Sequence, residues 1–261
     1  MKHLRGKTRR TSPLLTICLI AALVVFCFSL WKIVSILYRD YQSETAFDDL
    51  AQRVSSASQI EESSGEEQGI LPEYRELARE NPDLVGWLKI DGTKINYPVM
   101  ATPTDPQFYL RRNFQKNYDY SGTPFLDYRC DAGLPSTNLV IYGHCMKNGG
   151  MFGQLEQYKE KEFYTEHPII QFDTLYERRT YEIAAVILTQ VPADGEEGFR
   201  YYDFIQAQSQ EEFDGFIRSL RETALYETGI TPQYGDELIT LSTCSYHTQD
   251  GRLAVIARRV S

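Results

Sequence analysis

The sequence predicts a mainly β domain with helical insertions, closed or nearly closed into a barrel, behind a single amino-terminal transmembrane helix. Three observations carry this reading. Residues 13–31 form an apolar run with no charge. From Val85 onward, short runs rich in β-branched and aromatic residues alternate with turn residues. Within that region two stretches repeat apolar residues at helical spacing.

The apolar run comes first. At 1.5 Å per residue, about 19 residues nearly cross a hydrocarbon core of ~30 Å. Apolar character resumes at Ile33, Val34, Ile36 and Leu37, with Lys32 and Tyr38 able to snorkel to the interface. Lys2, Arg5, Lys7, Arg9 and Arg10 precede the run, and Asp40, Glu44, Asp48 and Asp49 follow it. That bias predicts a cytoplasmic amino terminus. A cleaved signal peptide is the competing reading, but the run is long for one and no small-x-small site follows. Residues 1–12 are therefore read as a cytoplasmic basic tail and 13–38 as a single-pass anchor. Residues 39–71 are read as a helical extension and an acidic, Ser-rich linker that begins near Ser55. Residues 72–261 are read as the extracellular folded domain, roughly 180 to 190 residues, which suffices for one core.

Within the domain, Pro72 to Glu80 reads as a helix. Val85 to Ile90 and Thr93 to Met100 read as strands joined by the Asp91-Gly92 turn. Further strands are expected at 123–128, 137–142, 169–174, 179–191, 237–243 and 252–260. The two helical stretches are 151–158, with Phe152, Leu155 and Tyr158 in register, and 209–226. In the second, Ser209 and Glu212 form a capping box, and Phe213, Phe216, Ile217, Leu220 and Ala224 share a face.

Composition excludes some functions. Net charge is −9 with no basic stripe, which argues against nucleic-acid binding. Of the five cysteines, Cys18 and Cys27 lie in the membrane run and Cys130, Cys145 and Cys244 lie outside it. An odd number in an exported domain leaves at least one free thiol.

The chemistry concentrates near the carboxy terminus. In the strand Leu238 to Cys244, period two puts Thr240, Ser242 and Cys244 on one face. After the Asp250-Gly251 turn, Arg252, Ala254 and Ile256 share a face of the returning strand, so Arg252 can lie beside Cys244. A fixed positive charge favours the thiolate, and a guanidinium can donate to an oxyanion. On those two residues alone, a buried Cys beside an exposed Arg explains the pattern equally well. For a base, His3 is cytoplasmic, His167 reads as a surface turn and His247 lies in the loop after Cys244. His144 ends a strand between Gly143 and the Gly149-Gly150 turn, a good position for an active site, although a lone His is more often structural.

A resemblance joins these pieces. Tyr142-Gly-His144 with the following Cys-Met-Lys-Asn-Gly-Gly-Met-Phe-Gly-Gln-Leu resembles the sortase histidine motif. Thr240-Leu-Ser-Thr-Cys244 resembles the TLxTC signature in its class B form, and Arg252 matches the family's arginine. Asp83 to Val99 and Phe125-Leu-Asp-Tyr-Arg resemble other stretches of class B. The likeness runs from about residue 72 to the carboxy terminus, with the motifs in order. It implies an eight-stranded sortase barrel and a cysteine transpeptidase. Cys244 would attack the Thr carbonyl of a carboxy-terminal sorting motif, commonly of the Asn-Pro-x-Thr type, to form a thioester that an amine resolves. His144 would move the protons and Arg252 would hold the substrate and oxyanion. Ser245 would add a backbone donor, and Ser242 and Tyr142 would line the groove. The implied partners are surface proteins bearing the motif and an amine of a peptidoglycan precursor or a pilin lysine. No cofactor or metal is implied. Cys145 departs from the family pattern and is expected to point away from the site; a Cys130–Cys145 pair is the less favoured alternative. Three rivals remain: a cysteine hydrolase using water at the same site, a metal site built on Cys130, His144, Cys145, Cys244 and His247, and a non-enzymatic adhesin.

Overall fold

A computed structural model describes residues 13–61, 69–134, 136–192 and 198–261. The predicted basic tail, residues 1–12, lies outside the described residues. The chain divides into two units, one ending at Glu44 and one running from Thr45 to Ser261. Helix α1 spans Pro13–Glu61. In the first unit its apolar side chains, Leu19, Leu23, Val24, Phe26 and Trp31 among them, are exposed around the helix, as contact with lipid requires. Among the described residues it is the one helix long and apolar enough to cross a membrane.

In the second unit, the end of α1 buries Phe47 and Leu50. The predicted linker is corrected here. Residues 55–61 are helical, because Phe47, Ala51 and Val54 sustain an apolar row that packs on the core, and the Ser58 hydroxyl donates to the Val54 carbonyl at 3.0 Å. Residues 62–68 of that linker are outside the described residues.

Helix α2 is Pro72–Glu80. The strands are β1 (Leu84–Lys89), β2 (Asn96–Met100), β3 (Phe125–Leu126), β4 (Asn138–Tyr142), β5 (Ile169–Thr174), β6 (Thr180–Gln190), β7 (Leu238–Cys244) and β8 (Gly251–Arg259). They close into a barrel in the order β1-β2-β3-β4-β7-β8-β6-β5, the expected eight-stranded architecture. Two pairings, β2 with β3 and β4 with β7, are parallel. Strand β3 is shorter than the 123–128 expected. Thr123 N–H turns away to the Tyr109 carbonyl, and the Asp127 carboxylate accepts from Arg129 N–H, bending the chain. The helix expected over 151–158 is a 3₁₀ segment, Gly153–Lys159. Met151 is held first in a bridge to Cys145 with φ 50°, so the helix starts late and tight. Two further helices follow: α3 (Lys161–Glu166), not read from sequence as a separate element, and α4 (Gln210–Thr223), capped by Ser209 as expected.

The core has two layers. Leu88, Val99, Ile141, Phe172, Ile183, Ile239, Leu241 and Val255 fill the barrel with residues packed around it. Outside the wall of β6, β7 and β8, the α4 face of Phe213, Phe216, Ile217 and Leu220 packs on Ile187, Leu238, Ala254 and Ile256. A helix of 14 residues is marginal alone, so this burial, about 1.5–3 kcal/mol per large side chain, sustains it.

The Thr240–Ser242 face of β7 points into this second layer, not into solvent: both residues are at most 1% exposed. Asn138 supplies what those buried polar groups need. It is fully buried. Its side-chain amide donates to the Phe204 carbonyl at 2.8 Å and accepts from the Thr240 hydroxyl at 2.9 Å. Its backbone N–H donates to the Ile205 carbonyl at 3.0 Å. Asn138→Ala leaves two buried partners unsatisfied, a cost of about 1–3 kcal/mol. Thermal unfolding of the soluble domain is expected to fall by roughly 5 °C; an unchanged midpoint would refute that role.

Candidate active site

The site is built by three adjacent strands. β4 and β7 run parallel with Tyr142 opposite Ser242. The pairing continues past the strand ends: Gly143 N–H donates to the Ser242 carbonyl at 3.1 Å, and the Thr243 hydroxyl donates to the Gly143 carbonyl at 2.7 Å. His144 therefore leaves β4 beside Cys244 at the end of β7. On the other flank β8 is antiparallel, with Arg252 opposite Cys244. Cys244, His144 and Arg252 all line one cavity of about 480 Å³, together with Leu110, Asp127, Tyr142 and Ser242.

Local packing fixes His144. A Cβ on Gly143 would lie 2.6 Å from the Phe152 ring, so only glycine lets the strand pass there. Phe152 N–H in turn donates to the His144 carbonyl at 2.9 Å. The imidazole Nε2 lies 2.8 Å from the Leu110 carbonyl. A carbonyl can only accept, so Nε2 carries the hydrogen and Nδ1 is the nitrogen that titrates. Burial pushes the imidazole pKa below its ordinary value. The Leu110 hydrogen bond opposes that shift and the Arg111 charge adds to it.

Arg252 donates from its guanidinium to its own neighbour, the Gly251 carbonyl, at 3.0 Å. No carboxylate among the described residues forms an ion pair with it, so the rest of its donor fork is directed elsewhere than at an internal anion. The two other thiols of the domain differ from an activated nucleophile: burial pushes both Cys145 and Cys130 up to about 11. All five cysteines are free, so Cys130 and Cys145 are not paired. His167 caps α3, with Nδ1 2.9 Å from the Asp91 carbonyl and its ring against Phe163. His247 packs near Gly251.

The three groove residues fare differently. Tyr142 lines the cavity, and its hydroxyl donates to Asp127 at 3.0 Å. Ser242 lines it too, but its hydroxyl is bonded to that of Tyr201 at 2.7 Å. Ser245 N–H donates to the Gly251 carbonyl at 2.9 Å. The backbone donor expected for an oxyanion is thus already engaged in the β7–β8 turn. Sequence reasoning assigned no role to Leu110, Asp127, Arg129 or Tyr201. Leu110 acts through its carbonyl, which no residue type signals. Asp127 and Arg129 lie in the Phe125-Leu-Asp-Tyr-Arg stretch, whose class likeness was the available signal.

A closed barrel with a thiol, an imidazole and a guanidinium on one cavity, built in this strand order, matches a known family. The family model described as the sortase domain matches residues 88–260, and the chain belongs to the sortase family, cysteine transpeptidases by activity. Its similarity falls within class B. Sortase B of Listeria monocytogenes is 30% identical over 244 residues, covering 93% of this chain and 95% of that protein. Sortase B of Staphylococcus aureus is 27% identical over 251 residues, covering 95% and 98%. Among solved structures, a sortase B–substrate complex from S. aureus superposes with a TM-score of 0.76 at 25% identity, covering 86% of this chain and 99% of that one. Sortase B from Bacillus anthracis gives 0.71 at 31% identity, with 86% and 99% covered.

The environment of His144 has a measurable consequence. Burial favours the neutral ring, so its midpoint in the folded protein lies below the ordinary value of about 6.5. The sign for stability follows: this group's contribution is complete above about 6.5 and is lost as pH falls through the lower folded midpoint. In a Cys244→Ala domain, which removes coupling to the thiol, NMR titration of His144 should give a midpoint below 6.5; one at or above it contradicts the burial account.

Proposed function

We propose that Cys244 is the nucleophile, His144 the proton carrier and Arg252 the anion-stabilising group of a sorting reaction that joins a surface protein to an amine. The observation that carries this reading is the pairing of Cys244 with Arg252 beside the end of β4, with all three side chains on one cavity.

The sequence of steps follows from the groups. His144 Nδ1 takes the thiol proton as sulfur attacks the carbonyl carbon of a motif Thr. The negative oxygen of the tetrahedral intermediate is met by the Arg252 fork. As the C–N bond breaks, Nδ1 returns the proton to the leaving amine and a thioester remains on Cys244. An incoming primary amine attacks that thioester, Nδ1 takes its proton, and the thiol is restored as the new amide leaves. A lowered imidazole pKa suits this cycle, because it favours the neutral ring, whose Nδ1 can accept a proton. The Ser245 N–H, engaged within the turn, has no part in it. The donor substrate is a protein with a carboxy-terminal motif of the Asn-Pro-x-Thr type. The acceptor is a peptidoglycan-precursor amine or a pilin lysine. The basic residues before α1 and the acidic residues after its apolar part support a cytoplasmic amino terminus and residues 72–261 as an extracellular catalytic domain.

The test is incubation of the soluble domain with sorting peptides, with and without an added amine, read by mass spectrometry. The expected product carries the amine on the Thr carbonyl. Hydrolysis alone at every amine concentration would replace the transferase with a peptidase. Cys244→Ala should abolish turnover. His144→Ala should cost roughly 10²–10⁴-fold, and Arg252→Lys about 10²-fold because a point charge lacks the fork. Near-normal rates in Arg252→Lys would remove Arg252 from the mechanism. For topology, protease added to intact cells should digest the domain and spare the amino-terminal tail; a protected domain would reverse the orientation.

A further inference from the structure

Behind the cavity wall lies an ion pair to which the mechanism gives no role. Asp127 is only 5% exposed at its side chain and lines the cavity. Both its oxygens are fully engaged. Oδ1 accepts from Arg129 Nε at 2.9 Å and from Arg129 N–H at 3.0 Å. Oδ2 accepts from the second arm of the Arg129 fork at 2.9 Å and from the Tyr142 hydroxyl at 3.0 Å. Burial works against ionisation of this carboxyl, but the hydrogen bonds from Arg129 and Tyr142 outweigh it and hold it below its ordinary value. Asp127 is therefore an anion with no acceptor sites left for a substrate or a proton.

Two consequences follow. A hydroxyl beside a carboxylate must donate to it, so the Tyr142 proton points at Asp127 and its lone pairs are left for the cavity. The same guanidinium also reaches the connection between β6 and α4: it donates to Asp203 at 3.0 Å and to the Tyr202 carbonyl at 2.7 Å. Next to that contact, Tyr201 reaches Ser242 on the cavity wall. One arginine thus ties the Tyr142 side of the wall to the segment that backs the Ser242 side.

We propose that Arg129, acting through Asp127, is a positioning residue for the sorting peptide: it presents the Tyr142 oxygen as a hydrogen-bond acceptor and braces the 201–203 segment behind Ser242. The proposal rests on the sorting reaction above. It assigns the wall a chemical preference, for a peptide N–H or carboxamide donor opposite Tyr142 and against a carboxylate there. Arg129 touches no reacting atom, so its loss weakens peptide binding and leaves the thiol chemistry intact.

Arg129→Lys keeps the charge and removes the fork; Asp203→Ala removes one outer contact only. Both are assayed with the best peptide from the sorting library, and Cys244 reactivity is measured separately by alkylation with iodoacetamide. Losing one charge-assisted hydrogen-bond set should raise KM about tenfold in Arg129→Lys, with kcat within about threefold and the alkylation rate unchanged. Asp203→Ala should show the same pattern, smaller. Tyr142→Phe should raise KM alone, and its combination with Arg129→Lys should be less than additive. An unchanged KM in Arg129→Lys overturns the proposal. So does a parallel loss of kcat, alkylation rate and melting temperature, which describes a merely structural arginine. No turnover by the unaltered domain, with normal alkylation, would remove the sorting reaction and this proposal together.

Discussion

The parallel pairing of β4 with β7 is the constraint on which the rest of the site depends. Parallel neighbours end on the same side of a sheet, so two strands distant in sequence deliver their last residues to one rim. Here those residues are His144 and Cys244. The register is fixed by the Gly143 N–H to Ser242 and Thr243 hydroxyl to Gly143 bonds at the point where the ladder ends. A slip of one residue would turn the thiol to the opposite face of the sheet. The hairpin to β8 then adds Arg252 opposite Cys244 at little entropic cost, because its turn is short. Three groups from three strands therefore meet without any of them being held by a long mobile loop.

The second core layer makes that register costly to lose. The outward face of β7 carries hydroxyls at Thr240 and Ser242, which are unfavourable to bury unless bonded. Asn138 satisfies the first and Tyr201 the second. These bonds reach the connection between β6 and α4, and α4 covers the adjoining apolar surface. A shifted β7 would break the polar bonds and the apolar contacts at once. The polar network thus specifies the strand position while the apolar contacts supply most of the stabilisation.

Much of this was legible in the chain. The Asp91-Gly92 turn, the Ser209 N-cap and the strand over 169–174 are local signals that lie where the local rules put them, while the Glu212 carboxylate of the expected capping box accepts from Gln208 N–H instead of Ser209 N–H. The alternation in β7 and β8 allowed Arg252 to lie beside Cys244, and the β7–β8 register sets the two opposite each other. What failed did so for non-local reasons. Thr240 and Ser242 read as one polar face, and only α4 and the Tyr201 segment reveal what covers it. The linker read from Ser55 continues as helix through Glu61 because the apolar row just before it, Phe47, Ala51 and Val54, packs on the core. The 151–158 helix became 3₁₀ because Met151 is first captured by Cys145. Leu110 escaped notice since its contribution is a carbonyl. Asp127 and Arg129 stand in a stretch with a class likeness, but their roles emerge only when their hydrogen bonds are traced.

The account reduces to one reactive sulfur selected from three thiols in the domain by its position, with Cys130 and Cys145 held protonated by burial. Its most direct test is to trap the intermediate. The soluble domain is mixed with a sorting peptide in the absence of amine, quenched in acid within the first turnover, and its intact mass is measured before proteolytic mapping. The account predicts a mass gain equal to the peptide portion ending at Thr, labile to hydroxylamine and located on Cys244. An adduct on Cys130 or Cys145, or cleavage of the peptide with no covalent adduct on any cysteine, would contradict it.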